Sequence, residues 1–246
     1  LKIYWPLVLV AFVGLVLTLM LMDPAPPKTI RFAAGPPGGA YYTYAERYQR
    51  LLGEQDVNVT LIQTAGSVEN LRLLDEGSAD VALVQGGLAT PGDAETLRSL
   101  GGLFHEPFWV FVRDEAGVTD FGQLRDLRMA IGPDGSGTRL LGLDLQAEFD
   151  GVWPAPARNS LSGTAAANAL IEGKLDAAAF AASPDAAYVQ TLLRAPGISL
   201  LPFERAEALS RRQPALAAVV LLRGVVDIGA DLPAHDVSLV APVAQL

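Results

Sequence analysis

The sequence predicts an α/β protein of two similar lobes, each built on parallel strands. Glycine-rich loops recur at an offset of 97 residues, helix–turn–strand segments recur at an offset of 96, and in both repeats apolar runs alternate with helical patterns. Strand–helix alternation points to parallel pairing, because the helix returns the chain to the same end of the sheet. The chain has 246 residues, 50% hydrophobic and 18% charged, enough to bury a sizeable core.

The first element is apolar. From Ile3 to Met22 there are twenty residues without a charge. A helix of that length spans about 30 Å, the thickness of a bilayer core. Residues 3–22 are therefore expected to cross a lipid bilayer, with Lys2 on the cytoplasmic side and Tyr4 and Trp5 at the interface. The following "DPAPPK" (23–28) reads as a stiff spacer, and its prolines favour a retained signal anchor over a cleaved signal peptide. The expected location is the inner (cytoplasmic) membrane, single-pass, with the part from Thr29 onward facing the periplasm or cell exterior.

The repeat follows. "GPPGGAY" (35–41) lies over "GPDGSGT" (132–138), matching at Gly35/Gly132, Pro36/Pro133 and Gly38/Gly135. Strand candidates "TIRFAA" and "RMAI" precede these loops, and helical patterns "YTYAERYQRLL" and "RLLGLDLQAEF" follow them. "NLRLLDEGSADVALV" (70–84) then matches "ANALIEGKLDAAAF" (167–180) at Leu74/Leu170, Glu76/Glu172, Gly77/Gly173, Asp80/Asp176 and Ala82/Ala178. In each copy an amphipathic helix ends at a glycine suited to the left-handed C′ position. An aspartate then opens a nearly continuous apolar strand, as in a parallel sheet covered on both faces.

Between the repeats, "PFWVFVR" (107–113) is β-branched and aromatic, a long strand placed to join the lobes as a hinge crossover. Thr119 is a helix N-cap candidate. The late segment "AAVVLLRGVVDIGADLPAHDVSLVAPVAQL" alternates strand-like runs with turn residues and is placed to cross back. The expected division is anchor and spacer 1–28, lobe one 29–115 plus 217–246, and lobe two 116–216.

Composition excludes several functions. The net charge of −9 and the lack of a Lys/Arg cluster argue against a nucleic-acid partner. Without cysteine there are no disulfides, thiolate nucleophiles or Cys-based zinc sites, and His105 and His235 lie too far apart for a metal-binding pair. Neither the P-loop nor the dinucleotide fingerprint is present. A nucleophile elbow around Ser136 needs glycines at 134 and 138, where Asp134 and Thr138 stand. No enzyme activity, cofactor or metal is expected.

What remains is anion binding. In parallel sheets, ligands bind beyond the carboxyl ends of strands, where loops enter helices. Helix N-termini there carry unpaired N–H groups and partial positive charge, and glycine lets a ligand approach the backbone. Gly39, Tyr41 and Tyr42 belong to the first cradle, and Ser136, Gly137 and Thr138 to the second. "TAGSVEN" (64–70) adds Thr64, Ser67 and Asn70 around Gly66, and "SLSGTAAAN" (160–168) adds Ser162 and Thr164 around Gly163. Taken singly, Ser67 with Asn70, and Thr164, read better as plain helix caps than as ligand contacts. Four such loops in one cleft suit a small carboxylate.

"FAAGPPGGAYYTYA", "TAGSVENLRLLDEGSADVALVQ", "GPDGSGTR" and "ALIEGKLDAAAF" together resemble the TAXI family, the solute receptors of tripartite ATP-independent periplasmic (TRAP) transporters, over roughly residues 29–246. The resemblance implies a class II periplasmic-binding-protein fold with parallel-rich sheets. It implies closure on a glutamate-like amino acid or dicarboxylate, and delivery to membrane permease subunits driven by an ion gradient. By position it places Tyr41, Ser67, Asn70 and Gln85 against the ligand from lobe one, Ser136, Gly137 and Thr138 from lobe two, and Phe180 on the floor. Arg139 either pairs with a carboxylate or faces solvent. Family members commonly carry a cleaved signal and continue past "APVAQL", so further residues are expected beyond Leu246. A ligand-sensing domain of a signalling system using the same cleft is the alternative.

Overall fold

The computed structural model describes residues 4–21, 28–89, 92–148 and 158–246. A helix, α1 (Trp5–Leu21), comes first. The first repeat is β1 (Thr29–Gly35), α2 (Ala40–Gly53), β2 (Asn58–Gln63), α3 (Ser67–Asp75), β3 (Val81–Ala82) and β4 (Val84–Gln85). A short α4 (Asp93–Thr96) leads to β5 (Gly102–His105) and β6 (Phe108–Arg113). The second repeat is β7 (Met129–Ala130), α5 (Gly137–Glu148), β8 (Arg158–Asn159), α6 (Gly163–Ile171) and β9 (Ala177–Ala181). Then come α7 (Ala187–Leu193), β10 (Ile198–Leu200), α8 (Ala206–Arg212), β11 (Leu216–Leu221) and β12 (Val237–Gln245).

The repeat seen in the sequence is a repeat of topology. Strands run β2-β1-β3 in one sheet and β8-β7-β9 in the other, all parallel. Both helix ends turn alike: the Gly77 N–H donates to Leu74 O and the Ser78 N–H to Leu73 O, as the Gly173 N–H does to Leu170 O and the Lys174 N–H to Ala169 O. Gly77 (φ 64°) and Gly173 (φ 73°) hold the left-handed conformation these turns require.

Parallel pairing stops at those triplets, so the sheets are mixed rather than parallel-rich. β6 joins β9 antiparallel and β10 joins β6 antiparallel, making a five-stranded second sheet. "DVALV" is split because its two ends serve different neighbours: β3 pairs with β1, and β4 pairs with β12. The "PFWVFVR" strand forms as β6, but it lies wholly in the second sheet, while β5 pairs with β12. A third sheet is ordered β11-β12-β4, with β5 also paired to β12, and the chain passes from it into the second sheet at Glu106–Pro107. β12 makes the other crossing, pairing with β11 through Val237–Pro242 and with β5 and β4 through Val243–Gln245. Thr119 is not the cap: Phe121–Asp126 is a 3-10 helix capped by Asp120, whose carboxylate accepts the Gly122 N–H, while the Thr119 N–H donates to Gln123 Oε1.

One large apolar cluster, including Phe108, Trp109, Phe111, Leu145, Leu170, Phe203 and Leu239, fills the second lobe. The first lobe holds two smaller clusters, one around Phe32, Tyr41 and Leu83 and one around Ala33, Ala82 and Val84.

The terminal helix has 17 residues, about 25 Å at the usual rise, and exposes Trp5, Val8, Phe12 and Leu15. Among the described residues no helix is long and apolar enough to cross a membrane. Ile3 and Met22, the ends of the expected span, and most of its spacer lie outside the described residues.

Candidate ligand cleft

The N-termini of α2, α3, α5 and α6, two from each lobe, converge on a cavity of about 350 Å³. Gly39, Gly66 and Ser162 are the N-caps of α2, α3 and α6, and none makes a side-chain cap. Their first-turn N–H groups are left for a ligand. The geometry at α5 differs. Ser136 Oγ donates to Pro133 O and accepts the Arg139 N–H, so this hydroxyl orders the loop. Gly132 (φ 82°) must be glycine, since a Cβ there meets Ser136 Oγ at 2.7 Å. Gly66 (φ 135°) brings the first lobe's loop against the second, its Cβ position 3.9 Å from Ser136 Cα.

Of the expected ligand-facing residues, Gly39, Tyr41, Gly66, Ser67, Gln85, Ser136, Gly137, Thr138 and Phe180 line the cavity. Three stand off it. Tyr42 packs half-buried against the first lobe's core. Asn70 is fully buried, accepting from Thr64 Oγ1 and donating to Leu83 O. Arg139 folds back, its Nε donating to Gly132 O at 2.9 Å and lying 3.3 Å from Asp134. The hydroxyls mostly tie loop to strand: Thr64 Oγ1 accepts the Gly35 N–H, Ser67 Oγ the Gln85 N–H, and Thr138 Oγ1 the Ala181 N–H. Neither Ser67 nor Asn70 acts as a helix cap.

The lobes also meet directly. Gln85 Nε2 donates to Gly137 O at 3.5 Å, and a Cβ on Gly137 would collide with Gln85 Oε1.

Two polar lining residues escaped the sequence reading, Tyr188 and Glu106. Glu106 sits where β5 gives way to β6, 4% exposed, with its N–H donating to Pro242 O. The Tyr41 hydroxyl donates to Glu106 Oε2 at 2.5 Å. Burial pushes the Glu106 carboxyl up to about 7, against the opposing pull of the Tyr41 hydrogen bond. Burial raises the Tyr41 phenol well above its usual range and takes Tyr188 to about 12, with the Glu106 charge adding to both. No Lys, Arg or His lines the cavity among the described residues. The available signal for Glu106 was a lone acid inside the apolar run "LFHEPFWVFV".

The family model described as NMT1-like family matches residues 32–237. The fold is similar to that of solved structures at low identity. The alkanesulfonate-binding protein SsuA from Xanthomonas axonopodis pv. citri, bound to MOPS, aligns with TM-score 0.53 and 20% identity over 72% of this chain and 61% of that one. An ancestral arginine-binding protein bound to arginine aligns with TM-score 0.50 and 15% identity, over 72% and 80%. The Synechocystis PCC6803 CcmR regulatory domain in complex with 2-PG aligns with TM-score 0.50 and 16% identity, over 87% of each chain. The fold is thus α/β of the periplasmic-binding-protein kind.

Proposed function

The chain belongs to the NMT1-like family, and on that premise we propose that it is an extracytoplasmic solute receptor whose lobes close on one small organic anion. The observation that carries this reading is the meeting of four helix N-termini, two from each lobe, in a cavity lined by no cationic side chain among the described residues. Each terminus is worth about 0.3–1 kcal/mol to an anion, up to about 2 when partly buried. Micromolar binding needs about 8 kcal/mol. Several amides and lobe closure must therefore act together. In this reading the two lobes move as units, with β6, β11 and the first half of β12 travelling with the second rather than with the first as the sequence division has it, and Glu106–Pro107 and the middle of β12 are the pivots.

The receptor hands its ligand to the permease of a TRAP-type transporter, a reading supported by the TAXI-like motifs. The apolar residues exposed around α1 support a tether to the cytoplasmic membrane with the lobes outside. A sensor using the same cleft is the second reading, favoured by the likeness in fold to a regulatory domain.

A thermal-shift screen of small carboxylates and amino acids tests the receptor reading. A ligand at 100 times its dissociation constant adds about 2.7 kcal/mol of stability. Ala40→Pro is the sharper probe. Proline suits the first helical position and deletes one cradle N–H, and Gly39 before it is already extended (φ −79°, ψ 161°). The variant is expected to keep its Tm and bind about 5-fold to 30-fold more weakly, the equivalent of about 1–2 kcal/mol. Unchanged affinity removes α2 from the site.

A further inference from the structure

We propose that Glu106 binds a positively charged amino group, so that the cleft takes a zwitterionic amino acid and rejects the corresponding acid without the amine. The inference rests on the receptor reading above and deepens it.

The charges in the cavity are lopsided. Four helix N-termini favour a negative group, and no Lys, Arg or His lines the space among the described residues. One carboxylate nevertheless stands in the lining, 4% exposed. The acids at the strand entrances show what a structural carboxylate looks like in this chain. Asp80 accepts from the backbone N–H and two guanidinium nitrogens of Arg31, and Asp176 accepts the same three from Arg128. Glu106 has neither arrangement. Among the described residues its side-chain donor is the Tyr41 hydroxyl, and no cation lies in ion-pair reach. An ionised carboxylate has about four lone-pair sites, and one is filled. Leaving a buried carboxylate so poorly matched is costly unless something supplies the cation.

A ligand ammonium supplies it. The helix N-termini take the ligand carboxylate, and Glu106 takes the ammonium. The burial cost of each charge is then offset inside the closed cleft. A dicarboxylate instead places its second negative charge near Glu106, where like charges repel at low effective dielectric. Selection between amino acid and plain acid follows from one residue.

The pairing has a pH signature. The carboxyl titrates near 7 in the empty cleft, so affinity for an amino acid rises as pH passes from about 6 to 8. The groups facing it do not interfere: Tyr41 on α2 and Tyr188 on α7 both stay neutral in that range. The neighbouring Ala179–Ala182 carry nothing that titrates, and β12 offers the Pro242 carbonyl to the Glu106 N–H.

The test uses the full chain and matched probes. The twenty amino acids and their desamino counterparts, such as L-glutamate with glutarate and L-aspartate with succinate, are screened at pH 8 by thermal shift and titrated by calorimetry. At least one amino acid is expected to bind, with its desamino partner about 10-fold weaker or more, as befits loss of a charge-assisted hydrogen bond. Glu106→Gln is expected to weaken the amino acid about 10-fold and bring the pair to within about 3-fold. Desamino acids binding as tightly as amino acids, or affinity falling from pH 6 to 8, overturns the Glu106 assignment and leaves the anion receptor standing. If no probe of either kind binds, both readings fall. Should Glu106→Gln not fold, the matched pairs on the unsubstituted chain still decide.

Discussion

Arg31 grips Asp80 in the first lobe with the same donors that Arg128 uses on Asp176 in the second, down to a 2.6 Å Nη2 contact in each. The glycines beside these clamps turn the same way. At other matched positions the lobes part company. Tyr41 corresponds to Thr138, Asn70 to Ala166, and Gln85 to Ala181. The first lobe buries Thr64, Ser67, Asn70 and Gln85 among two small apolar clusters, whereas the second buries Ser136 and Ser183 beside one large continuous apolar cluster. The shared plan fixes where loops and helix N-termini point, because it acts through backbone. What those loops present is free to differ: the first lobe offers the cleft Tyr41, Ser67 and Gln85, the second Ser136, Thr138, Ser162, Thr164 and Tyr188, and the carboxylate of Glu106 stands at the crossing between them. Four substitutions sharpen this contrast, and two more challenge the shared plan.

The largest effect is expected in the second lobe. Trp109 is fully buried, stacked near Phe111, with its indole N–H donating to Ala182 O. Trp109→Ala is expected to cost about 3–5 kcal/mol in urea denaturation. Phe32→Ala in the first lobe is expected near the lower end of that range, since half-buried Ile30 and Tyr48 beside it can move in. Equal costs would erase the difference in packing.

Glu106→Gln comes next and has the opposite sign. The folded-state carboxyl sits near 7 against an ordinary 4.5, so the folded protein holds a proton that the unfolded chain has lost between those values. Stability therefore falls as pH rises through that window, by about 3 kcal/mol in all. Glutamine removes the penalty. The ligand-free variant is expected to be more stable than the parent by up to about 3 kcal/mol at pH 8 and nearly equal at pH 4. A flat difference across pH refutes this account. Asn70→Ala should be smaller and destabilising, about 1–3 kcal/mol, because it strands the Leu83 carbonyl in the core.

The parts of this molecule legible in sequence were those that act through backbone geometry. Gly77 and Gly173 announced their turns because positive φ selects glycine, and Asp80 and Asp176 announced strand entrances at a constant spacing. Side-chain direction was harder to see. Arg139 looked ready for a carboxylate, but Gly132 O and Asp134 hold it aside. Asn70 had the right chemistry for a ligand and spends it on Thr64 and Leu83. Glu106 was missed because its meaning depends on Tyr41, 65 residues away. "DVALV" read as one strand because the chain that splits it, β12, arrives at the far end of the sequence.

The smallest expected effect is the most demanding test of the shared plan. Asp80 and Asp176 are each held below the ordinary carboxylate range, chiefly by the guanidinium hydrogen bonds of Arg31 and Arg128. A depressed carboxyl stabilises the fold above its unfolded pKa and ceases to do so as pH falls through its folded one. Both pairs are partly open to solvent, with side-chain exposures of 41% for Asp80 and 24% for Asp176, so screening keeps each contribution small. Asp80→Asn and Asp176→Asn are expected to lower Tm at pH 7 by only about 1–3 °C each, with the loss at Asp176 slightly larger because it is less exposed. Both losses should fade as pH falls through the lowered carboxyl range, where the parent carboxylates are protonated as well. A loss confined to one lobe at pH 7 would mean that the matching clamps share a geometry without sharing a role.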